Sequence, residues 1–104
     1  MSTEILVIPK PAYNLLRRLT GESRPDVALS LALKELTRLK LEEARVRSAA
    51  YEKKYGLSFQ AFAEDWRAEK IANAYSYAVE KDYWEWEAAV TDARALEELG
   101  QWLA

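Results

Sequence analysis

The chain contains neither histidine nor cysteine. Without histidine it lacks the side chain that most often moves protons near neutral pH; without cysteine it has no thiolate nucleophile and no disulfide. Zinc sites built from those two residues are excluded. Only three glycines occur, too few for a phosphate-cradling loop, and neither a P-loop nor a G-x-G-x-x-G pattern is present. Asp65, Asp82 and Asp92 stand apart, with no D-x-D-x-D loop. Catalysis by a carboxylate pair is a route the 17 acidic residues leave open, but no pattern marks such a pair. No cofactor or metal is expected, and the chain reads as a binding protein rather than an enzyme.

No apolar run approaches the length of a membrane span. The segment Met1-Ser2-Thr3-Glu4 puts no basic stretch ahead of its short apolar run, so a secretory signal is not expected. The lack of cysteine gives no pointer to an oxidising compartment, and a cytoplasmic location is the expectation.

What is present describes a folded protein: half of the 104 residues are hydrophobic and 31% are charged. That length gives one domain, or one with an extension, and a bundle this small often completes its core by oligomerising. The net charge of −2 hides a gradient. Residues 1–56 carry 11 Lys/Arg against 7 Asp/Glu, whereas residues 57–104 carry 4 against 10. All four tryptophans, Trp66, Trp84, Trp86 and Trp102, fall in the acidic part. Arg17, Arg18, Lys34, Arg38, Arg45 and Arg47 read as solvated helix surface.

Residues 4–8, Glu4-Ile5-Leu6-Val7-Ile8, are apolar and β-branched and are stopped by Pro9, which reads as one short strand. A lone strand needs a partner, and the simplest is the same strand of a second copy. Pro11 opens a helix with Tyr13, Leu15, Leu16 and Leu19 on its apolar stripe, ending at Thr20-Gly21. Ser23-Arg24-Pro25-Asp26 starts another, with Ser23 as the expected cap. Its apolar positions Leu29, Leu33 and Leu36 recur at helical spacing, and the helix is expected to reach Tyr55, about 30 residues or roughly 45 Å. That exceeds what a small globule needs, so it is expected to project from one module into another.

Gly56 ends that helix, and Ser58 caps a short one with Phe59, Phe62 and Trp66 on one face. Residues 71–79 suit a turn or a short extended segment. Asp82-Tyr83-Trp84-Glu85 reads as a capping box opening a last helix, with Trp86, Val90, Ala93, Leu96, Leu99 and Leu103 on its apolar face. Trp84 and Trp86 lie about 200° apart around a helix, so both cannot face one core. Trp86 belongs to the apolar stripe; Tyr83 and Trp84 lie off it and are the better candidates for contact with a partner.

The order strand, short helix, glycine turn, longer helix in residues 4–40 resembles a ribbon-helix-helix module, with Gly21-Glu22-Ser23 at the turn. The resemblance implies a homodimer held by Ile5 and Val7, or by the opposite strand face, with Leu29, Leu33 and Leu36 beneath. The expected fold is therefore mainly α, with a short N-terminal strand and about four helices, one long. Residues 1–56 would form the ribbon-helix-helix-like dimerisation module and residues 57–104 an acidic, aromatic, helical partner-binding region. Neither strand face, Glu4/Leu6/Ile8 or Ile5/Val7, offers Arg, Lys, Asn or Gln to base edges, and Glu22 and Asp26 put negative charge near the second helix's N-terminus. Weak or no sequence-specific DNA binding is expected.

Tyr55-Gly56-Leu57-Ser58-Phe59 with Phe62, followed by Asp82-Tyr83-Trp84-Glu85-Trp86-Glu87, is similar to small prokaryotic proteins encoded beside ribonuclease-like toxins. The resemblance implies an antitoxin. Its acidic helix would mimic the phosphates and bases that a basic RNA-gripping toxin binds, with Tyr83, Trp84, Glu85 and Glu87 as the contact residues. A DNA-binding regulator and a structural helical dimer without a toxin are the alternative readings.

Overall fold

A computed structural model describes residues 7–103 as four α-helices. Helix α1 is Lys10–Thr20 and α2 is Pro25–Tyr55. Helix α3 is Phe59–Arg67 and α4 is Tyr77–Leu103. The local signals that set most of these ends are legible. Pro11 and Pro25 sit in the first turns of α1 and α2, where a missing N–H costs nothing. Gly21 and Gly56 close the same helices at φ 73° and 68°, and their N–H groups donate to Arg17 O and Glu52 O. Ser58 caps α3, its Oγ accepting from Ala61 N–H at 3.2 Å.

Two expected caps are not used. Arg24 occupies the N-cap of α2, while Ser23 offers its carbonyl to the Tyr13 hydroxyl, 2.5 Å away, and so ties α1 to the turn. Helix α4 starts at Tyr77, where Ser76 Oγ accepts from Val79 N–H at 3.3 Å. Asp82 is more than a turn inside it and faces α2, because Lys54 and Tyr55 offer that carboxylate stronger donors than a helix end would. Residues 72–75 form a turn, with Asn73 left-handed at φ 56°.

Helices α2 and α4 form a long antiparallel hairpin. The direction follows from its cross-pairs: Arg45 meets Glu97, Arg47 meets Asp92, Ser48 meets Trp86, and Lys54 meets Asp82. Ala44 and Ala89 are fully buried, and small side chains let the two helices approach closely. Helix α1 folds back on the start of α2 over buried Ala28. Helix α3 closes the other end, where Phe62 and Trp86 are the largest fully buried side chains. Around them pack Tyr51, Tyr55, Phe59, Trp66 and Tyr83, with ring centroids as close as 4.6 Å for Tyr55–Phe62 and 5.2 Å for Phe62–Trp86. Each such aromatic pair adds about 0.5–1.5 kcal/mol beyond simple burial.

The expected strand and ribbon-helix-helix module are not found: no strand occurs among the described residues. Glu4, Ile5 and Leu6 lie outside them; Val7 and Ile8, the remainder of the expected strand, carry no regular structure, and Val7 is exposed. Extended backbone needs a neighbouring strand to hold its N–H and C=O groups, and the described chain supplies none. Helix α2 is one arm of a hairpin with α4 rather than the second helix of a compact N-terminal unit. Of the residues expected beneath a ribbon, Leu29 is half-buried, while Leu33 and Leu36 are exposed.

Candidate binding surface on helix α4

The 3.6-residue period sorts the side chains of α4 into opposite faces. Asp82, Trp86, Ala89, Ala93 and Leu96 point toward α2. Tyr77, Glu80, Trp84, Glu87, Thr91, Glu98 and Trp102 follow one another along the face turned away. Trp84 is 61% exposed and Trp102 88%. They are separated by five full turns, about 27 Å along the axis at 1.5 Å per residue. Two exposed cations border it: Lys81 lies about 60° from Trp84, as far to one side as Glu87 lies to the other, and Arg94 lies slightly further out. An exposed tryptophan flanked by carboxylates joins a large contact area to a negative field, which are the two ingredients of a surface for a cationic partner.

The four residues expected to meet a partner are placed differently from one another. Trp84 is outward, its ring edge-on to Tyr83 at 5.2 Å and 86°. Tyr83 is buried and stacks on Trp66 at 4.8 Å, so its ring belongs to the aromatic core and supports Trp84 from below. Glu85 turns sideways to accept a hydrogen bond from the Tyr51 hydroxyl, with Lys81 Nζ 3.8 Å away. Glu87 is half-buried on the outer stripe. Sequence reasoning missed Tyr77, Glu80 and Trp102 as members of the surface; their spacing of 7, 4 and 18 residues from Trp84 is the pattern that would have found them.

Behind the stripe, acid–base pairs fix the orientation of α4. Asp82 accepts from Lys54 Nζ and Tyr55 Oη, each at 2.5 Å. Burial opposes its charge, but the hydrogen bonds from Lys54 and Tyr55 outweigh that and hold the carboxyl below the usual aspartate range. The Tyr55 hydroxyl is pushed far up by burial and by its bond to Asp82. Tyr51 is pushed up to about 12, chiefly by its hydrogen bond to Glu85 and then by burial. These shifts belong to structural pairs: near neutrality they leave Asp82 charged and Tyr51 and Tyr55 protonated.

Among the described residues no three acidic side chains gather into a metal-binding group. A shallow groove between α2 and α4 is lined by Thr37, Leu41, Leu96 and Gly100. No helix among the described residues is long and apolar enough to cross a membrane. No protein-family model, curated protein or solved structure matches the chain.

Proposed function

We propose that this protein acts by binding, as an antitoxin-like partner that neutralises a small basic, ribonuclease-like toxin in the prokaryotic cytoplasm. The observation that carries the reading is Trp84, a large aromatic side chain held outward on a helix that carries seven carboxylates against two cations, Lys81 and Arg94. A protein that grips RNA presents cationic and stacking groups, and a rigid strip of indole and carboxylate is complementary to both. The buried Tyr83 ring and the Lys54–Asp82 pair hold the strip in place before the partner arrives, which lowers the ordering cost of binding.

The test is co-expression with the reading frame adjacent to this one in its genome. Copurification and restored growth are the expected results, and Trp84→Ala should weaken the complex by about 2 kcal/mol or more while the free protein stays folded. Failure of the intact chain to bind or protect against the neighbouring product would remove the antitoxin reading. Unchanged affinity in Trp84→Ala would remove this surface from it.

A further inference from the structure

Helix α2 carries two heptad seams, and α4 fills only one of them. The occupied seam runs through Thr37, Leu41, Ala44, Ser48, Tyr51 and Tyr55, in alternating steps of four and three. The second runs through Leu36, Leu39, Glu43, Val46 and Ala50, in steps of three and four, roughly 140° around the helix from the first. Its N-terminal continuation, Leu29 and Ala32, is half-buried at the end where α1 packs on α2. Beyond it the seam is bare: Leu36 is 52% exposed, Leu39 44% and Val46 63%.

The residues flanking this seam differ in sign by side. Glu35 and Glu42 lie along one edge, Lys40 and Arg47 along the other. We infer that the seam docks the same seam of a second copy, in parallel and in register. That arrangement sets Glu35 of each copy against Lys40 of the other, and Glu42 against Arg47, the five-residue offset by which parallel coiled coils pair their edges. An antiparallel pair would set each edge against itself, cation to cation and carboxylate to carboxylate. Within one chain these groups hold Arg38, Glu43 and Asp92 at 2.6–3.5 Å. Those side chains are all at least half exposed, so exchanging partners costs little.

The dimensions of the chain point the same way. A compact chain of this length has a radius of gyration of about 13 Å, and this one has 19.6 Å. It exposes 8130 Å², against about 6000 Å² for a monomer of its mass. The excess is larger than the roughly 800 Å² each partner gives to an interface of standard size. Glu43 is the one charged residue within the bare seam, and it would face its own copy across the dimer axis, loosening the pair at a defined point. The α4 stripe lies on another side of the molecule, so the dimer and the toxin complex stand or fall separately.

The experiment uses the full chain. Light scattering and sedimentation at micromolar concentration should give twice the 12.0 kDa chain mass. Because the protein has no cysteine, a single Ala50→Cys is an unambiguous probe: in the parallel register the two thiols meet, and mild oxidation should link the copies. Thr91→Cys, on the outer face of α4, should stay unlinked. Leu39→Asp should raise the dimer dissociation constant by roughly a hundredfold, since it buries an unpaired charge, and Glu43→Leu should lower it. The Glu43→Leu arm covers the case in which Leu39→Asp fails to fold. A monomer in the wild type, linkage at Thr91→Cys without linkage at Ala50→Cys, or no tightening by Glu43→Leu would each overturn the inference.

Discussion

The indole N–H of Trp86 donates to Ser48 Oγ at 3.0 Å, across the interface between α4 and α2. Every polar atom of the largest core side chain is thereby satisfied, and among the described residues no buried side-chain polar atom lacks a partner. Two tryptophans two residues apart thus have opposite roles. Trp86→Ala should cost about 3–5 kcal/mol in urea unfolding, through the cavity it leaves. Trp84→Ala should cost about 1 kcal/mol or less, the worth of its edge contact with Tyr83. Equal losses for the two would show that Trp84 is packed.

The tyrosine–carboxylate pairs predict the alkaline limit. Tyr51 holds its proton to about 12 in the fold, against 10.0 ordinarily, mainly through Glu85. A group raised in the fold contributes fully below its unfolded value, so this contribution is intact below pH 10.0 and lost as pH climbs from there toward 12. At the acid end Asp82 has the opposite sign: burial opposes its charge, yet its bonds from Lys54 and Tyr55 lower its value. Its contribution is present above 3.8 and lost as pH falls through the lower folded value. Denaturant midpoints measured against pH should show both limbs, with Tyr51→Phe flattening the alkaline one and Asp82→Asn the acid one.

Two glycines should respond to alanine in opposite senses. Gly56 sits at φ 68° with open space around it, so Gly56→Ala meets no clash and costs only the left-handed backbone, about 1 kcal/mol. Gly100 lies inside α4 with nothing near its missing Cβ, so Gly100→Ala should add about 0.5–1 kcal/mol. Thermal midpoints of the two variants check the pair.

Carboxylates on α4 separate by direction. Glu80→Lys with Glu87→Lys should slow association with a cationic partner and weaken its salt dependence, leaving the free fold intact, because rim charges act mainly on encounter. Glu85→Lys should instead lower the stability of the free protein, since it removes the acceptor of Tyr51. Stopped-flow association at two ionic strengths, alongside unfolding curves, distinguishes them.

Helix punctuation was plain in the sequence, because Pro11, Pro25, Gly21, Gly56 and Ser58 each satisfy a purely local requirement. The start of α4 was not: Asp82 has the chemistry of a cap, and only the position of Lys54 and Tyr55 on another helix makes it an interior partner. The apolar run at residues 4–8 looked like a strand because β-branched residues favour extended backbone, but a strand also needs a neighbour, which composition cannot show. At the candidate surface, the angular separation of Trp84 from Trp86 was legible from spacing alone. The burial of Tyr83 was not, since it depends on Trp66 of α3 reaching across to it.

The aromatic cluster lies entirely at the α3 end of the hairpin, and this makes the molecule mechanically uneven. Around Phe62 and Trp86, a backbone amide can exchange its proton only when the whole fold opens; toward Leu99 and Trp102, where contacts are few and the side chains exposed, the last turns of α4 can lift away by themselves. Hydrogen exchange should therefore grade along α4 from slow near Trp86 to fast near Trp102. A partner lying along the stripe would grip a firm anchor at Trp84 and a yielding one at Trp102, and could adjust its fit at the loose end without disturbing the other.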